Sequence, residues 1–444
     1  MNLRLISGPS LLAFLWLPAS CTGLRDSPDP KAPVPAAIAA PPPSAAVAYP
    51  IPDSAGPEDL ARLAVEHHPS VAAARHRAAR LAAKVPQERA LPDPMAEIAP
   101  IGAMAETAAG SVDVMGGVTQ KIPFPGKRDQ AAAAAEREAA AALAEVGTQA
   151  LKLTEQVHAA WWDLYLAEQT LSLTRESRSV LQAIRDAVDA RVAAGQAGQA
   201  DQIRLSNEIT LLDRDLAEAA QVGQSARARL NSLLNRPPGA RLPTARATPI
   251  PTTASLESLL ASAQVHHPEI AAAEQRASAF HHRLKRAELE RFPDFTIGLA
   301  GAAVSSPGLS PVATSRDQLY ATLGINIPLW QEPRKAMIRE AREGIAETDA
   351  MLASTRADLR YRVEDAWFRV RTAREISDLF ETRLIPEARQ AYDVTLTGYS
   401  AGSSSFTDLV ETWRQTLAYR LQLSRNRAQL GKAAATLRAA AAIP

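Results

Sequence analysis

Between Gln318 and Ile327 the chain alternates with a period of two. Leu319, Ala321, Leu323, Ile325 and Ile327 fall on one side, and Gln318, Tyr320, Thr322, Gly324 and Asn326 on the other. That is the pattern of a strand with one apolar and one polar face. A run of about ten residues is what a tilted transmembrane strand requires, although a half-buried strand of a soluble sheet has the same local signature. Further extended stretches are predicted at Met95 to Met104, Val112 to Ile122 and Asp294 to Val304.

Most of the remaining chain has a helical pattern. One helix is predicted from Pro57 to Arg89, ending in "LPDP", where closely spaced prolines forbid continuation. After "PFPGKR" an alanine-rich helix runs from Gly126 to Ala194, interrupted only by Gly147. At 1.5 Å per residue it is about 100 Å long, so it needs neighbours along its whole length, as in a coiled coil or helical barrel. "GQAGQAD" from Gly195 reverses the chain into a helix from Asp201 to Asn235, and "AGSSSFTD" makes the corresponding reversal later.

These elements come in duplicate. "HHPSVAAARHRA" at His67 pairs with "HHPEIAAAEQRA" at His266 at an offset of 199. Trp161 and Trp162 pair with Trp367 and Phe368 at 206, and Gly195 and Asp201 pair with Gly402 and Asp408 at 207. A duplicated unit of that size is an internal repeat. The eight-residue drift is assigned to loops between the His pair and the tryptophans. The fold class is therefore mainly α with a small transmembrane β part, in two helix-strand-strand-helix-helix repeats covering residues 58–245 and 246–444. The histidines admit two readings: ligands of a surface metal site assembled between copies, or polar residues at a helix start just before a first-turn proline. Adjacent helical residues point about 100° apart, so one pair does not readily hold one ion.

Composition narrows the function. A net charge of +1 gives no reason to expect nucleic acid, and 5% aromatics suits long helices packed through small side chains. Arg4, the apolar run Leu11 to Leu17 and "LPASC" read as a secretory signal over residues 1–20. Cys21 is the only cysteine and sits where a bacterial lipoprotein is cleaved and acylated; the other reading is an ordinary signal peptide cut nearby. Residues 21–57 form a tether, with ten prolines between Ser27 and Pro57. No later run is long and apolar enough for a membrane helix. If the mature chain crosses a bilayer it does so as strands, and four strands cannot close a barrel, so other copies must complete it. Three copies supply twelve. Motifs of phosphate binding, zinc proteolysis and nucleophilic catalysis are missing, which argues against an enzyme.

The two His-Pro-x-aliphatic stretches, "QKIPFPGKR" from Gln120, "INIPLW" from Ile325, the two glycine-bearing tips and the duplicated layout together resemble the TolC-like outer-membrane efflux proteins over about residues 57 to 440. The "PFPGKR" form is similar to members that serve heavy-metal pumps. The resemblance implies a homotrimer whose twelve-stranded barrel in the outer membrane of a Gram-negative bacterium continues into a helical barrel crossing the periplasm. It implies no catalytic site and no cofactor beyond a covalent lipid on Cys21. The implied partners are outer-membrane lipid, a periplasmic adaptor and a proton-driven inner-membrane pump, with metal cations or small toxic organics leaving through the lumen. A periplasmic spacer or adaptor lipoprotein that never forms a pore is the alternative.

The resemblance further implies an acidic periplasmic aperture, onto which Asp408 and Glu411 fall. They are three residues apart and share a helix face, and they are equally readable as two solvated acids favoured by a helix start. Gly195, Gly198, Asp201, Gly402 and Ser405 match the family's adaptor-contacting turns, with glycine permitting the reversal and Asp capping the returning helix. The family's basic latch falls near Ser404, so the means of closing this tip differs.

Overall fold

The computed structural model describes residues 49–101, 106–107, 110–248, 250, 254–305 and 316–443, all within one unit, 48–444. The expected signal segment, Cys21, most of the tether and the expected strand end at Met104 lie outside the described residues.

Each half begins with short helices laid on a long one. The helix expected from Pro57 to Arg89 is three: α1 (Pro57–His67), α2 (Pro69–Ala82) and α3 (Lys84–Arg89). Pro69 forces the residue before it out of the α region, and His68 is extended at φ −77°, ψ 130°. The second half repeats this break, with α6 (Leu256–His266), extended His267 and α7 (Pro268–Leu289). Leu60, Ala64 and Val71 are buried against Leu153, Val157 and Ala160 of α4 (Lys127–Ala193). Their counterparts 199 residues on, Leu259, Ala263 and Ile270, are buried against Leu359, Val363 and Ala366 of α8 (Gln331–Leu379). The duplicated positions thus bury the same contacts twice.

α4 is continuous over 67 residues and passes through Gly147 unbroken. Its return partner α5 (Gln199–Leu233) and α10 (Phe406–Ala440) both have 35 residues and start and stop at an offset of 207. The counterpart of α4 is not one helix. α8 passes through a π turn at Phe380–Leu384 into α9 (Ile385–Ala401). The last residue of the eight-residue drift therefore sits inside a helix, not in a loop before the tryptophans.

The strands form one antiparallel sheet in the order β1 (Met95–Pro100), β3 (Gly110–Ile122), β4 (Phe295–Ser305), β5 (Gln318–Ile325), with β2 (Glu106–Thr107) on β3. β5 stops two residues short of the expected Ile327, where Asn326 instead donates its backbone N–H to Asp294 O at 3.2 Å. The two repeats meet through β3 and β4, whose register pairs Val118 with Leu299 and Gln120 with Ile297. None of the described helices is long and apolar enough to cross a membrane.

Candidate functional site: the strand faces and the hairpin tips

Register assigns the faces of the sheet. Leu299 lies between Val118 and Ala321, Ile297 opposite Leu323, and Phe295 opposite Ile325, so these side chains share one face with Leu319 and Ile98. It is exposed: Ile98 78%, Leu323 78% and Leu319 76%. The opposite face carries Glu97, Thr119, Thr296, Tyr320 and Thr322, a polar lining one residue out of phase. Among the described residues the outer edges of β1 and β5 have no partner strand. A sheet with an exposed apolar face and two open edges is unfinished in water and in lipid alike.

The tips lie at the other end of the long helices, about 100 Å from where α4 leaves the sheet. Both turns are built alike. Gly195 N–H donates to Val192 O at 3.0 Å and Gln196 N–H to Arg191 O at 2.8 Å. At the same offset of 207, Gly402 N–H donates to Tyr399 O at 3.1 Å and Ser403 N–H to Gly398 O at 2.8 Å. Gly195 and Gly402 hold φ of +70° and +80°, the left-handed region that closes a helix and favours glycine.

The returning helices start differently. Ser405 caps α10 by accepting Asp408 N–H at 3.2 Å, while the Asp408 carboxylate accepts Ser405 N–H at 3.2 Å and its hydroxyl at 2.7 Å. This is a reciprocal capping box. Gly198 caps α5 with no side-chain bond, and Asp201 sits in the first turn, 3.9 Å from Arg204. The expectation that Asp caps both helices is thus corrected: Asp408 completes a cap begun by Ser405, and Asp201 favours the helix start only as a charge. Asp408 and Glu411 are both exposed on one face of α10, opposite buried Leu409, Val410 and Trp413.

Sequence reasoning missed what joins the tips. Arg191 reaches across to α9, donating from Nη1 to Tyr399 O with its guanidinium 4.4 Å from the Tyr399 ring centroid. Its own repeat partner is Gly398, so the arginine occurs on one side only. Leu181, Val188, Leu205, Phe406, Leu409 and Trp413 pack around this contact. Higher up, Arg414 donates to both oxygens of Glu208 and Arg420 to both of Glu176, tying α10 to α5 and α4. The Arg420 hydrogen bond holds the Glu176 carboxyl below its usual range. No local pattern pairs residues more than 200 positions apart, and the only local signal is that Arg191 stands four residues ahead of Gly195.

The second histidine of each pair becomes a helix cap. His68 Nδ1 accepts Ser70 N–H and His267 Nδ1 accepts Glu269 N–H, each at 3.2 Å. His67 lies tilted against Tyr49, with ring centroids 4.7 Å apart and 31° between the planes.

Residues 259–442 match the family described as outer membrane efflux protein. The match lies within the second repeat. The cobalt-zinc-cadmium resistance protein CzcC of Cupriavidus metallidurans is 22% identical over 317 residues, 71% of this chain and 74% of its own length. The fold is similar to that of VceC from Vibrio cholerae, with a TM-score of 0.72 at 18% identity over 87% of this chain and 95% of that one. It is equally similar to the open state of the MtrE channel of Neisseria gonorrhoeae, with a TM-score of 0.72 at 18% identity over 87% and 89% of the two chains. The fold is thus the one these outer-membrane proteins share.

Proposed function

We propose that three copies of this chain close into a twelve-stranded barrel and a continuous helical duct, through which divalent metal cations leave the cell. The observation that carries the assembly is the pair of open edges on a sheet with one apolar and one polar face. β5 of one copy pairing with β1 of the next satisfies both edges, turns Leu299 and Leu323 to lipid and leaves Thr119 and Thr322 lining the lumen. A periplasmic adaptor docks on the tips, around Gly195, Gly198, Asp201, Gly402 and Ser405, and a proton-driven inner-membrane pump supplies the energy. The exposed carboxylates of Asp408 and Glu411, three copies of each, ring the aperture and favour cations there. A lipid on Cys21 anchors the segment that precedes the body.

The cation reading is supported by the likeness to CzcC. Deleting the gene and challenging cells with cobalt, zinc and cadmium beside organic dyes tests it: sensitivity to dyes alone would overturn the cation assignment. Purified protein should migrate as a heat-modifiable oligomer and carry current in planar bilayers, whereas a spacer lipoprotein does neither. Labelled palmitate should be incorporated and lost in Cys21→Ala.

A further inference from the structure

The two halves keep their buried seams in phase by different means. Leu153, Val157, Ala160, Leu164 and Ala167 on α4 are buried, and so are Leu359, Val363, Ala366, Val370 and Ala373 at an offset of 206. The spacing of four and three residues is that of a coiled-coil seam. Below it, buried Leu181 corresponds to buried Ala388, and half-buried Val192 to buried Tyr399, at 207. One residue has been added between Ala373 and Ala388, and it would rotate everything beyond it by about 100° off the seam if the helix stayed regular. The π turn absorbs it. Ile385 N–H donates to Phe380 O, five residues back, so the turn is one residue wider and the seam resumes on the correct face.

This accommodation weakens the helix at one place. Pro386, where the first half has Ser179, offers no N–H to the preceding turn. Just above, α8 is fastened: buried Asn426 of α10 donates to Ala373 O at 2.6 Å and Ser377 Oγ at 2.7 Å. The matching position on α5 is Ala219, which makes no such clamp. Within the π turn no residue is buried, and its partners on α10 are an exposed ion pair, Arg427 to Glu381 at 2.9 Å, and the edge of Tyr419 against Phe380. A fixed upper segment, a wide turn lacking one helical hydrogen bond and a separately packed lower segment make a joint. The first half has none of these, because α4 runs unbroken from the sheet to its tip.

We propose that the π turn at Phe380–Leu384, with Pro386, is a pivot about which α9 and its tip swing relative to α8, while the α4–α5 hairpin acts as the fixed element. The pivot rests on the reading of the chain as a duct, since its consequence is a change in the aperture formed by the tips. The repeat offset of 207 below the turn and 206 above it is then the sequence mark of a moving part.

The test removes the added residue. Deleting Thr382 together with Pro386→Ser restores the length and chemistry of the first half, and the full-length oligomer is assayed in planar bilayers. The expected result is a heat-modifiable oligomer like the wild type with several-fold fewer channel openings; unchanged openings overturn the pivot. Should that variant not assemble, amide hydrogen exchange on the wild type decides. Exchange over 381–385 about tenfold faster than over the matched stretch 175–178 of α4 is expected, and equal protection overturns the proposal. A wild-type protein that carries no current would sink the duct reading, while the exchange comparison would still judge the pivot.

Discussion

Arg191 and Tyr399 stand on different halves of the repeat, and the guanidinium of one covers the ring of the other at 4.4 Å while donating to its carbonyl. The contact is the direct tie between the ends of the two outgoing helices. It sits beside costs: among the described residues, Arg191 Nε, Tyr399 Oη and Trp413 Nε1 are buried without hydrogen-bond partners.

The tie and the costs are separable by substitution. Arg191→Ala removes a cation–π contact and a charge-assisted hydrogen bond, together worth roughly 1–3 kcal/mol, so the tip should open more readily and single-channel currents should rise. Tyr399→Phe keeps the ring and the backbone acceptor while removing an unsatisfied hydroxyl. It should leave conductance as in the wild type and be neutral or slightly stabilising in thermal unfolding.

In each adjacent His pair the second member is the one that matters. His267→Ala should lower stability by about 0.5–2 kcal/mol, the usual worth of an N-cap, and His267→Asn should recover most of it. His266→Ala, at an exposed position in the last turn of α6, should be within about 0.5 kcal/mol of wild type. Thermal unfolding of the four proteins distinguishes these outcomes.

Acid should weaken the body through buried imidazoles. Burial pushes His158 down from its ordinary value of 6.5, Glu58 pulls it up and Arg438 pushes it down, with a net lowering. Burial lowers His267 as well, against a raising contribution from Glu269. A histidine whose folded value lies below its unfolded one takes up its proton first in the unfolded chain. Its contribution is therefore complete above pH 6.5 and declines as pH falls from there toward the folded value. The midpoint of thermal unfolding should drop across that interval, and His158→Gln combined with His267→Asn should flatten the slope.

The two faces of β5 should answer oppositely to one charge. Leu323→Arg places a guanidinium on the apolar face and should cost about 2–4 kcal/mol if that face meets the middle of the bilayer. Thr322→Arg, one residue away on the polar face, should assemble normally and alter only the current. Heat-modifiable migration of both variants from outer-membrane fractions is the measurement, and equal assembly would contradict the face assignment.

Much of this was legible in local pattern. Proline before a helical run announces the extended residue ahead of it, and Pro69 and Pro268 impose breaks at His68 and His267 that helical periodicity alone does not show. The apolar alternation of β5 and the left-handed glycines at 195 and 402 follow from period and backbone sterics, and both appear as expected. The joint at Phe380 was present in the sequence as a shift from 206 to 207. A one-residue insertion looks the same whether it lengthens a loop or widens a helix.

The sequence by itself determined the duplicated elements, the long helices, the two tips and the two-faced strands, because each depends on neighbours within a few residues. Tertiary structure decided the rest: the union of both repeats through β3 and β4, the open edges at β1 and β5, the Arg191–Tyr399 tie and the retention of the seam across the π turn. Those depend on which surface lies opposite which, and residues 170 to 210 positions apart meet only once the backbone has brought them together.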